Sequence, residues 1–239
     1  MTNPMLQFFQ KPLCQFGVMG WDLTLTNGVL FMFVSLFGVV AFCSILYRAQ
    51  MQPSRWQMLV EKSFFLVAGM IGPVNDQLTK QVLPFTLSIF LIVVFGNVVG
   101  LVPGAFTFTS QLIVTMFMAI VVFLVSIVLG IKKRGLKFFK QFVPHGVSAW
   151  LYPLIIPVEI LSFFTRPLSL GLRLFVNMVA GHSILAVFAS FIAGISVISV
   201  CVGLLNAVLF VLEVSIAVLQ GYVFSVLSSL YLQEAVKGH

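Results

Sequence analysis

The sequence predicts an all-α integral membrane protein of about five to six helices in one domain. Three observations carry that expectation. Of 239 residues, 60% are hydrophobic and 8% charged, against about 25% charged in an ordinary soluble domain. Uncharged apolar runs recur along the chain, each long enough to cross the hydrocarbon layer. The basic residues behind the net charge of +7 sit at the ends of those runs. There they set orientation in the membrane, whereas a nucleic-acid binder needs a basic face on a soluble surface.

Residues 1–26 are polar to mixed, with Pro4, Pro12 and Gly20. They lack a basic start followed by an apolar core, so no cleavable signal is expected. The run "GVLFMFVSLFGVVAFCSILY", 28–47, is a first span. Arg48, Arg55 and Lys62 follow it. "SRWQMLVEKSFFLVAGMIG", 54–72, is amphipathic and reads as a helix lying in the membrane interface. "LPFTLSIFLIVVFGNVVGLVPG", 83–104, is a second span, closed by Pro103-Gly104. A third runs through 111–131, so that 83–131 forms a transmembrane hairpin. "KKRGLKFFK", 132–140, then carries five basic residues and no acid.

Two basic clusters, around 48–62 and 132–140, lie two crossings apart and therefore on the same side. The positive-inside rule assigns that side to the cytoplasm or matrix, the negative side of the membrane. The N-terminal segment then lies on the positive side. Residues 145–234 form a pair of long apolar helices, about 145–192 and 195–234, interrupted by Gly and Pro and carrying isolated polar groups.

Those polar groups are ordered. With Arg173 at zero and about 100° per residue, Glu159 and Asn177 fall near +40°, Arg166 near +20°, Ser162 near −20° and Ser169 near −40°. These residues and Arg173 share one face roughly 80° wide. His182 lies on the opposite face, about 13.5 Å further along the axis. On the next helix Ser199, Asn206, Glu213 and Gln220 recur at every seventh position, a drift of about 20° per step.

Each group has a bland reading. Ser162 and Ser169 singly read as hydroxyls bonded to their own backbone. Arg166, beside Pro167, reads as an arginine reaching for the headgroups. Asn206 and Gln220 read as hydrogen-bonding glue between helices, and His182 as a satisfied structural histidine. Arg173 resists such a reading. At a helix centre an arginine costs roughly 2.5–3.5 kcal/mol on insertion scales, and no acid stands one turn away. Its partner is expected on another helix or another chain. Glu213 resists too, because a carboxyl group in hydrocarbon must be protonated, paired or wetted, and each makes it a candidate proton carrier. A fixed cation between two polar clusters on different faces suits a proton path that must not leak.

"RPLSLGLRLFVNMVAGH" (166–182) followed by "LEVSIAVLQGYVFSVLSSLYL" (212–232) resembles the a-subunit family of F-type ATP synthases. "FGNVVGLVPGAFTFTSQ" (95–111), "PVEILSFFTRPLSL" (157–170) and "LTNGVLFMFVSL" (25–36) are similar to the same family, so the likeness covers most of the chain. The resemblance implies that Arg173 is the essential arginine facing the carboxylates of a rotating c-ring, with Asn177 and Gln220 beside it. It implies that His182 and Glu213 line the half-channel of the positive side, and Glu159, Ser162 and Ser169 that of the negative side. Arg166 keeps a basic residue where many members have one. The last two helices would be strongly tilted and curve along the c-ring. The implied partners are the c-ring, peripheral-stalk subunit b, other Fo subunits, membrane lipid and protons. No cofactor, metal or nucleic acid is implied, and no phosphate-binding loop is visible. The 26 phenylalanines and the His182/Glu213 arrangement lean towards the mitochondrial inner membrane, with a bacterial inner membrane as the alternative. A proton-coupled secondary transporter fits less well, since no inverted repeat is visible. A purely structural subunit of a respiratory complex leaves Arg173 and Glu213 unexplained.

Overall fold

The computed structural model describes residues 12–18, 21–47, 54–72, 77–102, 105–135, 138, 152–192 and 197–237. Among these, the expected all-α membrane architecture is what the chain adopts. The helices are α1 (Asn27–Tyr47), α2 (Arg55–Ile71), α3 (Gln77–Gly100), α4 (Leu112–Arg134), α5 (Tyr152–Ser190) and α6 (Val197–Lys237). All but α2 are long and apolar enough to cross a membrane. Large side chains such as Phe37 and Ile113 are 75% and 83% exposed. An apolar exterior of that extent is stable in hydrocarbon, where helices satisfy their own backbone groups.

One element was not foreseen. Strands β1 (Pro12–Val18) and β2 (Trp21–Thr26) pair antiparallel, with Val18 opposite Trp21 and Pro12 opposite Thr26. The segment "WDLTLT" alternates apolar and polar residues, the two-residue period of a strand.

Ser54 caps α2, its hydroxyl accepting from the Gln57 N–H at 3.3 Å. Val60, Val67, Ala68 and Ile71 are buried on one side of α2, and Met58, Phe65 and Leu66 are exposed on the other. Helix α3 begins at Gln77, ahead of the apolar run that starts at 83. Pro84 lies inside it and removes one backbone hydrogen bond there. Helix α4 ends in Lys132, Lys133 and Arg134, cations suited to the negative end of the helix dipole. Of the rest of the basic run, Lys137 and Lys140 lie outside the described residues, as does 145–151 at the expected start of the fourth span.

One core cluster lies where four helices meet. Ile89 and Val93 of α3, Ala119 and Val122 of α4, Leu170 and Leu174 of α5, and Phe224 of α6 form one buried cluster. Helix α1 stands outside it, held to α3 by the edge-on pair Phe42–Phe95 with ring centroids 5.4 Å apart. Helices α5 and α6 are 39 and 41 residues long, roughly 58 Å and 62 Å at 1.5 Å per residue. That is about twice the 30 Å hydrocarbon thickness.

Candidate functional site

The site is built on α5 and α6, which pair antiparallel. Arg166 meets Glu234, Asn177 meets Gln220 and His182 meets Glu213, so position rises on one helix as it falls on the other. Leu170, Leu174 and Met178 pack inwards from α5, about 60° to 140° round the helix from Arg173. That packing fixes which face α5 presents outwards.

Arg173 lies on the outward face and is exposed. It makes no hydrogen bond or ion pair with the described residues. Ser162 and Ser169 are exposed on the same face, and Glu159 is half-buried there. The expectation that the two serines bond their own backbone does not hold among the described residues. Ser225 and Ser228 of α6 do make such bonds, at 2.7 Å each, and so do the exposed Ser190 of α5 and Ser215 of α6.

Arg166 departs from the headgroup reading. It is paired with Glu234 of α6 and lies over the Tyr231 ring, 5.8 Å from its centroid. Glu234 was missed in the sequence, although the signal exists. It lies two seven-residue steps beyond Gln220, on the line of Ser199, Asn206 and Glu213, with Leu227 filling the skipped position.

One turn beyond Arg173, Asn177 Nδ2 donates to Gln220 Oε1 at 2.9 Å. Gln220 is buried, and its Nε2 makes no hydrogen bond among the described residues. For Gln220, the interhelical glue reading is therefore correct as geometry.

The second cluster faces another way, as the helical wheel requires. His182 Nδ1 is 3.7 Å from Glu213 Oε1, and His182 Nε2 is 2.8 Å from Thr107 Oγ1. Glu213 is 3% exposed, with both carboxylate oxygens lacking a hydrogen bond among the described residues. It can lie so close to α5 because residue 181 is glycine. A Cβ there would come within 2.7 Å of Glu213 Oε1. Beside the pair is a cavity of about 620 Å³, lined by His182, Asn206, Ala105, Ala186, Gly203 and Phe210 among others. It is roomy and polar enough at His182 and Asn206 for several waters. Among the described residues, no group of three His, Cys, Asp or Glu is arranged to hold a metal ion.

Two polar clusters thus lie at different depths and on different faces, with an exposed arginine between them. Residues 29–233 match the family described as ATP synthase A chain. The chain belongs to that family. It is 39% identical over 248 residues to ATP synthase subunit a of Rhodopseudomonas palustris, covering 100% of this chain and 99% of that protein. ATP synthase subunit a of Orientia tsutsugamushi is 37% identical over 245 residues, and that of Paramagnetospirillum magneticum 37% over 248, each covering 100% of both chains. Family membership and the five membrane-length helices together make this an integral membrane protein.

Proposed function

We propose that this chain is the proton-translocating stator subunit of the Fo sector of an F-type ATP synthase. It couples proton flow to rotation of a c-ring and so to ATP synthesis. The observation that carries the reading is Arg173, a permanent cation exposed on the outward face of a largely apolar helix and unpaired among the described residues. A surface of that kind needs an anion from outside, and a ring of lipid-facing carboxylates supplies one.

A proton enters from the positive side through the cavity at His182 and Asn206, passes Glu213, and neutralises a ring carboxylate. The neutral carboxyl group then turns through lipid at little electrostatic cost. Arg173, beside Asn177 and Gln220, draws the next carboxylate into its charged form and so favours release of that proton. Release is to the negative side, along Glu159, Ser162, Ser169 and the Arg166–Glu234 pair. Arginine stays protonated at any accessible pH, so it bars a direct leak between the two half-channels. Each proton contributes about 2.3 kcal/mol per 100 mV of membrane potential.

The placement follows from the same reading. The N-terminal segment 1–26 lies on the positive side, 28–47 crosses, 54–72 lies in the interface and 83–131 is a hairpin. The 145–234 pair, about twice the bilayer thickness in length, tilts steeply and follows the ring. Peripheral-stalk subunit b and other Fo subunits complete the stator. The relatives named above are bacterial, which favours a bacterial inner membrane over the mitochondrial one. Replacing Arg173 by Ala in the whole complex tests the proposal. Loss of proton-driven ATP synthesis is expected, and normal synthesis contradicts it.

A further inference from the structure

The connection between α3 and α4 carries a residue to which the reading above gives no role. His182 has its Nε2 held at 2.8 Å by Thr107 Oγ1 and its Nδ1 at 3.7 Å from Glu213 Oε1. We propose that Thr107 is a positioning residue for proton transfer. Its hydroxyl holds His182 Nε2, so that the other ring nitrogen faces the Glu213 carboxylate. The inference rests on the proposed proton path.

The choice of a hydroxyl has a chemical reason. A neutral imidazole has one donor and one acceptor nitrogen, and an imidazolium has two donors. A backbone carbonyl at Nε2 accepts only, and would lock one tautomer. A hydroxyl accepts from Nε2–H and donates to bare Nε2 equally well. The ring can therefore gain a proton on one nitrogen and lose one from the other without losing its anchor or its aim.

The anchor is itself braced. Thr107 is 5% exposed. It fits because residue 100 is glycine, where a Cβ would lie 2.1 Å from Thr107 Oγ1. The Thr107 carbonyl accepts from the Ser110 N–H at 3.0 Å and from the Ser110 hydroxyl at 2.6 Å. Two residues on, the Thr109 hydroxyl donates to Asn97 Oδ1 at 2.8 Å, and Asn97 Nδ2 donates to the Ala217 carbonyl at 3.1 Å. Ala217 is one helical turn from Glu213. One short segment thus sets the histidine through Thr107 and the height of the carboxylate through Thr109. Among the described residues, the ionisable group facing His182 from α6 is Glu213. The 105–111 segment brings the Thr107 hydroxyl, and the end of α3 brings Gly100 and Leu101 to the same cavity, neither of them ionisable.

The test is proton flux through the whole complex in vesicles over a series of pH values. Native protein is compared with Thr107→Val, Thr107→Ser, Gly100→Ala, His182→Gln and the Thr107→Val/His182→Gln double variant, each scaled to the assembled complex. Thr107→Val should lower flux roughly threefold to tenfold, the effect of one ordinary hydrogen bond. It should also move the midpoint of the pH profile by roughly half a unit to one unit. Serine should restore both. Gly100→Ala should act like Thr107→Val, since its methyl displaces the hydroxyl, and it serves if the valine variant fails to assemble. The double variant should be no worse than His182→Gln alone. The proposal is overturned if Thr107→Val lowers flux equally at every pH, or multiplies with His182→Gln while that variant is itself impaired. In that case the proton path stands and Thr107 is structural. Native flux in His182→Gln overturns the proposal together with the role given to the positive-side cluster. If His182→Gln carries no flux, the pH profile of the Thr107 variants decides alone.

Discussion

Asn177 Nδ2 donates a 2.9 Å hydrogen bond to Gln220 Oε1, and this bond stands between Arg173 and the His182–Glu213 pair. It ties α5 to α6 between the Arg166–Glu234 and His182–Glu213 pairs. Removing Asn177 leaves the buried Gln220 amide without this partner, at about 1–3 kcal/mol, and removing Gln220 costs less because Asn177 is only half-buried. Asn177→Leu and Gln220→Leu should each lower the thermal stability of the complex. The double variant should be less destabilised than the two losses added together. Strict additivity in that cycle contradicts the bond.

Arg173 and lysine are not equivalent at this position. The guanidinium is a planar fork that stays charged, whereas a desolvated ammonium loses its proton readily. Arg173→Lys is expected to assemble normally and to lose most proton-driven ATP synthesis. Synthesis near the native rate would show that any cation suffices.

The Arg166–Glu234 pair is open to solvent, with side chains 29% and 45% exposed. Exposed pairs contribute about 0–1 kcal/mol. Glu234→Gln should therefore leave assembly intact, as judged by native electrophoresis, yet slow proton flux if the pair lines the negative-side path. The exchange Arg166→Glu/Glu234→Arg should recover part of that flux. A flux unchanged by Glu234→Gln removes this pair from the path.

Gly181 admits the Glu213 carboxylate, since a Cβ would lie 2.7 Å from Oε1 and 2.9 Å from the carboxyl carbon. Gly181→Ala should displace the carboxylate and cost about 1–3 kcal/mol in overpacking. Shortening the acid should relieve the clash, so Gly181→Ala/Glu213→Asp should conduct better than Gly181→Ala alone. Equal flux in the two variants argues that Glu213 is not held by this contact.

Much of this was legible in the sequence because the bilayer imposes a coarse code. A long apolar run must be a helix, and a charge within it is conspicuous. The stripe through Arg173 and the seven-residue line through Glu213 follow from helical geometry alone, and so does the opposite facing of His182. What stayed hidden depends on partners far away in the chain. Arg166 looked like a headgroup-seeking arginine because Glu234 lies 68 positions on, behind Leu227 in an otherwise regular line. Thr107 drew no reading of its own because its partner is 75 positions away. The β1–β2 hairpin was overlooked because six or seven residues of alternation are a weak signal beside a 20-residue apolar run. The start of α3 was placed late because apolarity, not helicity, marked the span.

The central claim is that Arg173 separates two half-channels. Proton flux through the whole complex in reconstituted vesicles tests it most directly, with native protein set against Arg173→Gln. The account predicts loss of coupled pumping, with passive proton leak appearing once the fixed cation is gone. Tightly coupled pumping at the native rate would contradict it and leave Arg173 a structural charge.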